Sequence, residues 1–306
     1  MAVADSAQKI TRIQAVITNP DKERGKGLKL SPTPIKVWAQ KENLKIIEAG
    51  TLRGTEIKTA IEKIQPDIFI VAAYGKIIPH EILMIPRLGA INIHPSLLPR
   101  WRGAAPVVHT ILSGDIETGT TLILLADEVD AGPIISQKRL FLSGNETTGD
   151  LNKKLFQLGA SMLEESLDGY GAGSIKPQPQ PATGITYAPK INNNVARLDW
   201  LKKAEELERE VRAYNPEPGS FFEYRKSSDK KIRVKVLQAS VLSEYPNAKA
   251  GTVLMHAGFP IVATAQHALK LTEVQPESKK PMSGNAFIKG HQAMVNQNLL
   301  TVGKLL

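Results

Sequence analysis

The sequence predicts an α/β chain in two parts: βα units with a mostly parallel sheet, then a small antiparallel β-barrel. Three observations carry this reading. From residue 13 to residue 142, short apolar runs alternate with stretches whose apolar residues recur at helical spacing, the signature of βα units. The stretch 171–189, GAGSIKPQPQPATGITYAP, is rich in Gly and Pro and has no periodicity, as expected of a linker. Beyond it, one amphipathic helix around Leu207 and Val211 is followed by short, closely spaced apolar runs, which suit a barrel. The expected boundaries are a first domain over 1–170, a linker over 171–189 and a barrel domain over 190–306.

The elements follow in order. Strands are expected at 13–18, 68–73, 90–93, 121–125 and 134–142, each a short run rich in Ile, Val, Leu or Thr. Ile57, Ala60, Ile61 and Ile64 mark one intervening helix. Leu151, Leu155, Leu158 and Met162 mark a long helix that ends near Tyr170. The stretch 95–106 holds three prolines, a glycine and two arginines, so it reads as a stiff loop that cannot turn helical before Pro106. In the second domain the strands are expected at 232–237, 252–255, 261–264 and 269–274.

Composition removes whole classes of chemistry. The 306 residues contain no cysteine, which excludes disulfides, thiolate metal sites and a cysteine nucleophile and fits a reducing compartment. No apolar run approaches the roughly 20 residues of a membrane helix, and the first residues, MAVADSAQKITRIQ, lack a signal-peptide core. The expected location is the cytoplasm. The formal charge is +9, and residues from Lys190 onward, with 18 basic against 11 acidic, hold +7 of it. The densest run there is Arg225, Lys226, Lys230, Lys231, Arg233 and Lys235, opposed by Asp229 alone, either a solvated face or a surface that neutralises phosphates.

The most informative window is INIHPSLLPRWRGAAP, residues 91–106. Asn92 and His94 lie two apart at a strand end, so they project from one face, at the carboxyl edge where open α/β sheets bind ligands. A loop between the last two strands of the domain, ADEVDAGP, offers Asp127, Glu128 or Asp130 to the same edge. An amide donor, an imidazole that titrates near neutrality and an orienting carboxylate suit acyl-type transfer without a protein nucleophile. The other five histidines, His80, His109, His256, His267 and His291, share no metal-ligand spacing. No Walker loop or GxGxxG is present, and neither metal nor nucleotide cofactor is expected.

These residues resemble a known family. An Asn-x-His at a strand end (Asn92, His94), a Ser-Leu-Leu-Pro loop just after it (Ser96, Leu97, Leu98, Pro99) and a downstream Asp (Asp130) are similar to the signature of the 10-formyltetrahydrofolate-dependent formyltransferases. The segment NPDKERGKGLKLSPTPIK, residues 19–36, resembles the basic loop by which the methionyl-tRNA formyltransferase family grips an acceptor stem. YNPEPGSFF at 214–222 and KKPMSG at 279–284 are similar to its C-terminal domain. The resemblance covers roughly residues 13 to 295. It implies a doubly wound, Rossmann-like catalytic domain and an OB-like tRNA-binding barrel. It implies 10-formyltetrahydrofolate as co-substrate, initiator methionyl-tRNA as partner, and a monomer. Asn92, His94 and Asp130 would be catalytic. Ser96 to Pro99 with Tyr74, Gly75, Ile77 and Ile78 would line the folate pocket, and Lys22, Arg24, Lys26 and Lys29 would meet the tRNA.

Two departures accompany the resemblance. The family begins with a strand, a Gly-containing loop and a helix ahead of the strand at 13–18, and nearly all of that is absent. The expected first domain therefore lacks its first, central strand, with unpaired backbone on the strands beside it and either a start site upstream of Met1 or a compromised domain. In the basic loop, Lys26 stands where the family commonly has Arg, which keeps the charge and loses the planar bidentate contact. Two other functions compete with the implied one: formyl transfer to an amino sugar nucleotide, against which the basic loop argues, and a non-catalytic RNA-binding relic.

Overall fold

The computed structural model describes residues 1–24, 29–227 and 230–300. They form two compact units, the first comprising 1–106, 117–141 and 152–189, the second 107–116, 142–151 and the chain from Lys190 on.

The chain opens with a helix, α1 (Ala2–Ile10), in which Val3, Ala7 and Ile10 recur at helical spacing and pack on the core. Nine residues are too few for a stable isolated helix, and burying a Val side chain contributes about 1.5–3 kcal/mol, so packing holds this one. The expectation that the helix is missing together with the first strand is thereby corrected. Next come β1 (Ala15–Thr18), the hairpin β2 (Lys22–Arg24) and β3 (Lys29–Ser31), and α2 (Pro34–Lys41). The basic segment is thus ordered secondary structure at both ends rather than one long loop, because Thr33 caps α2 through Lys36 N and Pro34 supplies the fixed φ of a first helical residue. Then follow β4 (Lys45–Glu48), α3 (Thr55–Glu62), β5 (Phe69–Val71), the one-turn α4 (His80–Leu83), β6 (Ala90–His94), α5 (Pro106–Ser113), β7 (Glu117–Leu124), β8 (Ile134–Phe141) and the long α6 (Thr148–Gly171).

Apart from the β2–β3 hairpin, these strands form two separate sheets. β1 pairs with β4 in parallel, and β5-β6-β7-β8 is the second sheet, in which β5 and β6 are parallel and the β6–β7 and β7–β8 pairs antiparallel. Half of the pairings are parallel, fewer than the mostly parallel sheet expected: the loop at 125–133 returns the chain directly alongside β7, which only an antiparallel strand can do. Among the described residues β1 has no partner but β4, and β5 none but β6, so each keeps an open edge. Asn19 after β1 and Tyr74 after β5 join the two sheets at their carboxyl ends, Asn19 Nδ2 donating to the Tyr74 carbonyl at 3.3 Å.

The site depends on β6. All of its residues but Asn92 are buried. Ile91 and Ile93 face the cluster formed by Val3, Ala7, Leu163 and Leu167. Gly159 lets α6 press on this face, since a Cβ there would lie 2.4 Å from Ile93 Cγ2. By the period-2 alternation of a strand, Asn92 and His94 take the opposite face.

In the second unit, α7 (Ala204–Ala213) precedes β9 (Phe221–Ser227), β10 (Lys230–Leu242), β11 (Val253–His256), β12 (Phe259–Ala263), β13 (Ala268–Pro276), β14 (Met282–Ser283) and α8 (Gly284–Lys289). The strand order is β11-β12-β13-β10-β9 with β14 on β13, antiparallel throughout, in a half-barrel; the outer side of β11 bonds the segment at 296–297 through Val253, and β9 is bridged at Phe221 to Arg197. Its core holds Trp200, Phe222, Tyr224, Val234, Leu271 and Phe287. The Trp200 and Phe222 rings meet edge to face at 6.0 Å.

Candidate active site

The carboxyl end of β6 brings together the three residues singled out for catalysis. Asp130 Oδ1 accepts from Asn92 Nδ2 at 3.4 Å and lies 3.6 Å from His94 Nδ1. His94 and Asp130 are only 3% and 9% exposed. Of the three acids that the sequence left open, Asp127 and Glu128 point outward, Asp127 pairing with His80 at 2.8 Å and Glu128 with Arg102 at 3.3 Å.

Backbone groups set the rest of the geometry. His94 Nε2 lies 3.0 Å from the Trp101 carbonyl. A carbonyl only accepts, so Nε2 carries the proton and Nδ1, facing Asp130, is the nitrogen free to take one. Burial lowers the His94 pKa below the ordinary 6.5, and the Asp130 charge and the Trp101 carbonyl offset this in part. The buried imidazole is therefore neutral at physiological pH. On the other side, Gly103 N donates to Asp130 Oδ2 at 2.8 Å. Gly103 has φ +118 and a Cβ there would sit 2.8 Å from the Ala188 carbonyl, so only glycine brings this amide to the carboxylate.

Two non-glycine residues of the site, Trp101 at φ +65 and Asp130 at φ +52, sit in the left-handed region. Each such residue costs about 1–2 kcal/mol, and a hydrogen bond to a charged group returns about 1.5–3, so the Gly103–Asp130 contact is strong enough to hold the turn at Asp130. Nothing local in the sequence marks Trp101 or Gly103 as partners of His94 and Asp130, apart from one glycine in a proline-rich stretch.

The Ser-Leu-Leu-Pro loop is tied down by hydrogen bonds. Ser96 Oγ donates to the Arg100 carbonyl at 2.7 Å, Thr121 Oγ1 donates to the Ser96 carbonyl at 2.7 Å, and Leu98 N donates back to Thr121 Oγ1 at 3.2 Å. Ser96 and Leu98 turn their side chains into the interior, while Leu97 and Pro99 are half-buried. The Leu98–Pro99 peptide is cis.

Beyond β5, Tyr74 and Ile78 pack on the cluster of Ala49, Leu52, Ile61 and Ile82, Gly75 turns with φ +72, and Ile77 is 74% exposed. Among the described residues the buried Tyr74 hydroxyl has no hydrogen-bond partner, and burial raises its pKa. Lys22, Arg24 and Lys29 fall in the β2–β3 hairpin, with Arg24 opposite Lys29; Lys26 lies outside the described residues. Among the described residues no group of His, Asp and Glu could hold a metal ion, and no helix is long and apolar enough to cross a membrane.

Residues 1–167 match the formyl transferase family and residues 190–292 its C-terminal domain. The chain is 39% identical to a methionyl-tRNA formyltransferase of Methylococcus capsulatus over 90% of this chain and 88% of that one. It is 38% identical to one of Nitrosospira multiformis over 95% and 91%. Among solved structures, a Helicobacter canadensis N-formyltransferase in complex with folinic acid and dTDP-3-aminofucose has a TM-score of 0.63 at 19% identity, covering 88% of this chain and 93% of that one. HypX of Aquifex aeolicus in complex with tetrahydrofolic acid has a TM-score of 0.60 at 17% identity, covering 87% and 46%. Likeness at that identity concerns the fold alone. At 38–39% over nine-tenths of both chains, with Asn92, His94 and Asp130 converging at one strand end, the chain belongs to the methionyl-tRNA formyltransferase family of the formyl transferases.

Proposed function

We propose that this chain transfers the formyl group of 10-formyltetrahydrofolate to the α-amino group of methionyl-initiator tRNA, acting as a monomer in the cytoplasm. The observation that carries the chemistry is the buried cluster in which one carboxylate, Asp130, meets both Asn92 and His94. The acceptor is supported by the relatives, which are methionyl-tRNA formyltransferases over nearly their whole length. The neighbours that act on sugars are under 25% identical and add only the fold.

The amine is the nucleophile. Free α-amino groups have pKa values of about 7.7–8.0, so a neutral fraction is available without a strong base. As the amine nitrogen bonds the formyl carbon, Asn92 donates a hydrogen bond to the formyl oxygen while negative charge develops there. His94 accepts the ammonium proton at Nδ1, next to Asp130, which stabilises the imidazolium. When the bond from the formyl carbon to N10 breaks, that proton is delivered to N10, and the site returns to its starting state.

The folate is a substrate, consumed at each turnover, and it supplies the activated formyl group. Its ring system carries both hydrogen-bonding and apolar surface. Beside β5 the chain offers an exposed Ile77 and a Tyr74 hydroxyl that is buried without a partner among the described residues, which fit such a ligand; Gly75, Ile78, Leu97 and Pro99 would complete the pocket, with Ser96 and Leu98 holding the loop.

The tRNA would meet Lys22, Arg24, Lys26 and Lys29 and the β9–β10 hairpin. In that hairpin Lys231 stands directly opposite Arg225, both exposed. Like charges at paired positions weaken a sheet, so their placement favours a role toward phosphates over one in stability.

The test is a formylation assay with methionyl-tRNA and 10-formyltetrahydrofolate, run beside a His94→Ala variant. Formylmethionyl-tRNA formed by the parent and not by the variant supports the reading. Transfer to an amino sugar nucleotide in preference to methionyl-tRNA overturns the acceptor, and a folded chain that binds tRNA without turnover is the inactive relic.

A further inference from the structure

The segment 171–189, which joins the two units, is stitched to both loops of the active site. Gln178 and Ile134 exchange backbone hydrogen bonds at 2.7 and 2.8 Å, just after the Asp130 loop. Farther along, Trp101 N donates to Thr186 Oγ1 at 2.9 Å, Arg102 N to the Thr186 carbonyl at 2.9 Å and Ala188 N to the Arg102 carbonyl at 2.7 Å, all on the loop that holds His94.

Between these two attachments stands Gln180, whose side-chain amide is fully used. Its Oε1 accepts from Arg102 Nε at 3.1 Å and Nη2 at 2.8 Å. Its Nε2 donates to the carbonyl of Asp130 at 2.7 Å and to that of Gly132 at 2.8 Å. Two acceptor and two donor positions are all the amide has, and the arrangement reads only one way round, since the reversed amide would set NH2 against a guanidinium and oxygen against two carbonyls. Arg102 is itself buried. One of the two carbonyls Gln180 holds belongs to the residue in the left-handed conformation, Asp130, and the other to Gly132, two residues on, which is wedged against β7, where a Cβ would lie 1.7 Å from the Leu124 carbonyl.

We propose that Gln180 is a positioning residue for formyl transfer: it clamps the backbone of Asp130 and so fixes the carboxylate between Asn92 and His94. It touches neither substrate in this role. The inference rests on the functional reading above, in which Asp130 acts on the His94 proton. Its consequence is that part of the catalytic geometry is set from the connecting segment, fifty residues beyond the carboxylate.

The test uses the full chain and single-turnover formylation of methionyl-tRNA with enzyme in excess. Gln180→Met keeps length and bulk and removes all four hydrogen bonds. Gln180→Glu keeps an acceptor for Arg102 and cannot donate to the two carbonyls at neutral pH. Both are expected to lower the rate constant about 10- to 100-fold, the usual cost of a displaced catalytic group, with half-saturation by tRNA and folate within about twofold of the parent. In an Asp130→Asn background, Gln180→Met is expected to add less than about twofold, because the group it positions is already disabled. A merely structural Gln180 predicts the opposite: the same loss in both backgrounds, together with changed half-saturation. That outcome, or a wild-type rate in either folded Gln180 variant, overturns the proposal. An Asp130→Asn variant with the parent's rate overturns the functional reading instead, and the positioning role with it.

Discussion

His94 Nε2 stands 3.0 Å from the carbonyl of Trp101, and this hydrogen bond decides which nitrogen of the imidazole is left facing Asp130. With Nε2 committed as donor, Nδ1 is left facing Asp130 at 3.6 Å, and in the proposed mechanism the proton passes through this nitrogen, the one nearest the carboxylate. His94→Gln cannot take the proton at that point. It is expected to lower kcat about 10²–10⁴-fold with little change in KM, as loss of a general base does, measured by steady-state formylation. A variant within threefold of the parent would remove His94 from the mechanism.

Asn92 has one amide hydrogen directed at Asp130 Oδ1 and a second available for the formyl oxygen. Removing an oxyanion donor costs about 2.7–4 kcal/mol of transition-state stabilisation, so Asn92→Ala should lose about 10²–10³ in kcat. Asn92→Asp, of the same size, should lose at least as much, because it brings a like charge to Asp130. Recovery of activity in Asn92→Asp would show that the amide is not a donor in the reaction.

Burial of His94 has a consequence for stability. Its folded pKa lies below 6.5, so as pH falls through the unfolded value the unfolded chain takes up the proton and the folded chain does not. Stability contributed by this group is present above about 6.5 and falls in the window just below it, by at most about 1.4 kcal/mol per pH unit for one proton. His291 is also held low by burial and contributes with the same sign. The comparison that isolates His94 is urea unfolding of the parent and His94→Gln between pH 7.5 and 5.5, where the variant should show the shallower slope. Equal slopes would contradict a buried neutral imidazole.

The divided sheet makes a prediction of a different kind. β1 and β5 each leave one backbone edge without a strand partner among the described residues, whereas β6 and β7 are paired on both sides. Amide hydrogen exchange should therefore be faster in Ala15–Thr18 and Phe69–Val71 than in the interior of β6, by about 100-fold or more. Protection in β1 and β5 equal to that in β6 would mean that the open edges are covered in solution.

Binding of tRNA should depend steeply on salt if the basic segment meets phosphates. For Lys22, Arg24, Lys26 and Lys29 replaced together by Ala, the slope of log affinity against log salt should fall by about 0.7–0.9 for each phosphate no longer neutralised, about 3 in all. An unchanged slope and affinity, by filter binding across 50–200 mM salt, would place the acceptor stem elsewhere.

Local pattern carried much of this molecule, and where it stopped has a physical reason. The alternation of residues along β6 placed Asn92 and His94 on one face, and Pro106 marked the start of α5, since both depend only on neighbours in the chain. The long helix and most strands were legible for the same reason, as their apolar spacing is a local property. The short α1 was not, because nine mixed residues become helical only when Val3 and Ala7 find the core. Nor did periodicity distinguish Asp130 from Asp127 and Glu128. The distinction comes from Gly103, which meets it across 27 positions, and from a backbone turn that no propensity favours. The segment at 171–189 shows the difference most sharply. Its Gly and Pro content reads as a linker, yet Gln180 and Thr186 bind it to both active-site loops. Chain neighbours determine which elements form; contacts between residues far apart in sequence, set only when the fold closes, decide which of several equivalent side chains becomes part of the site.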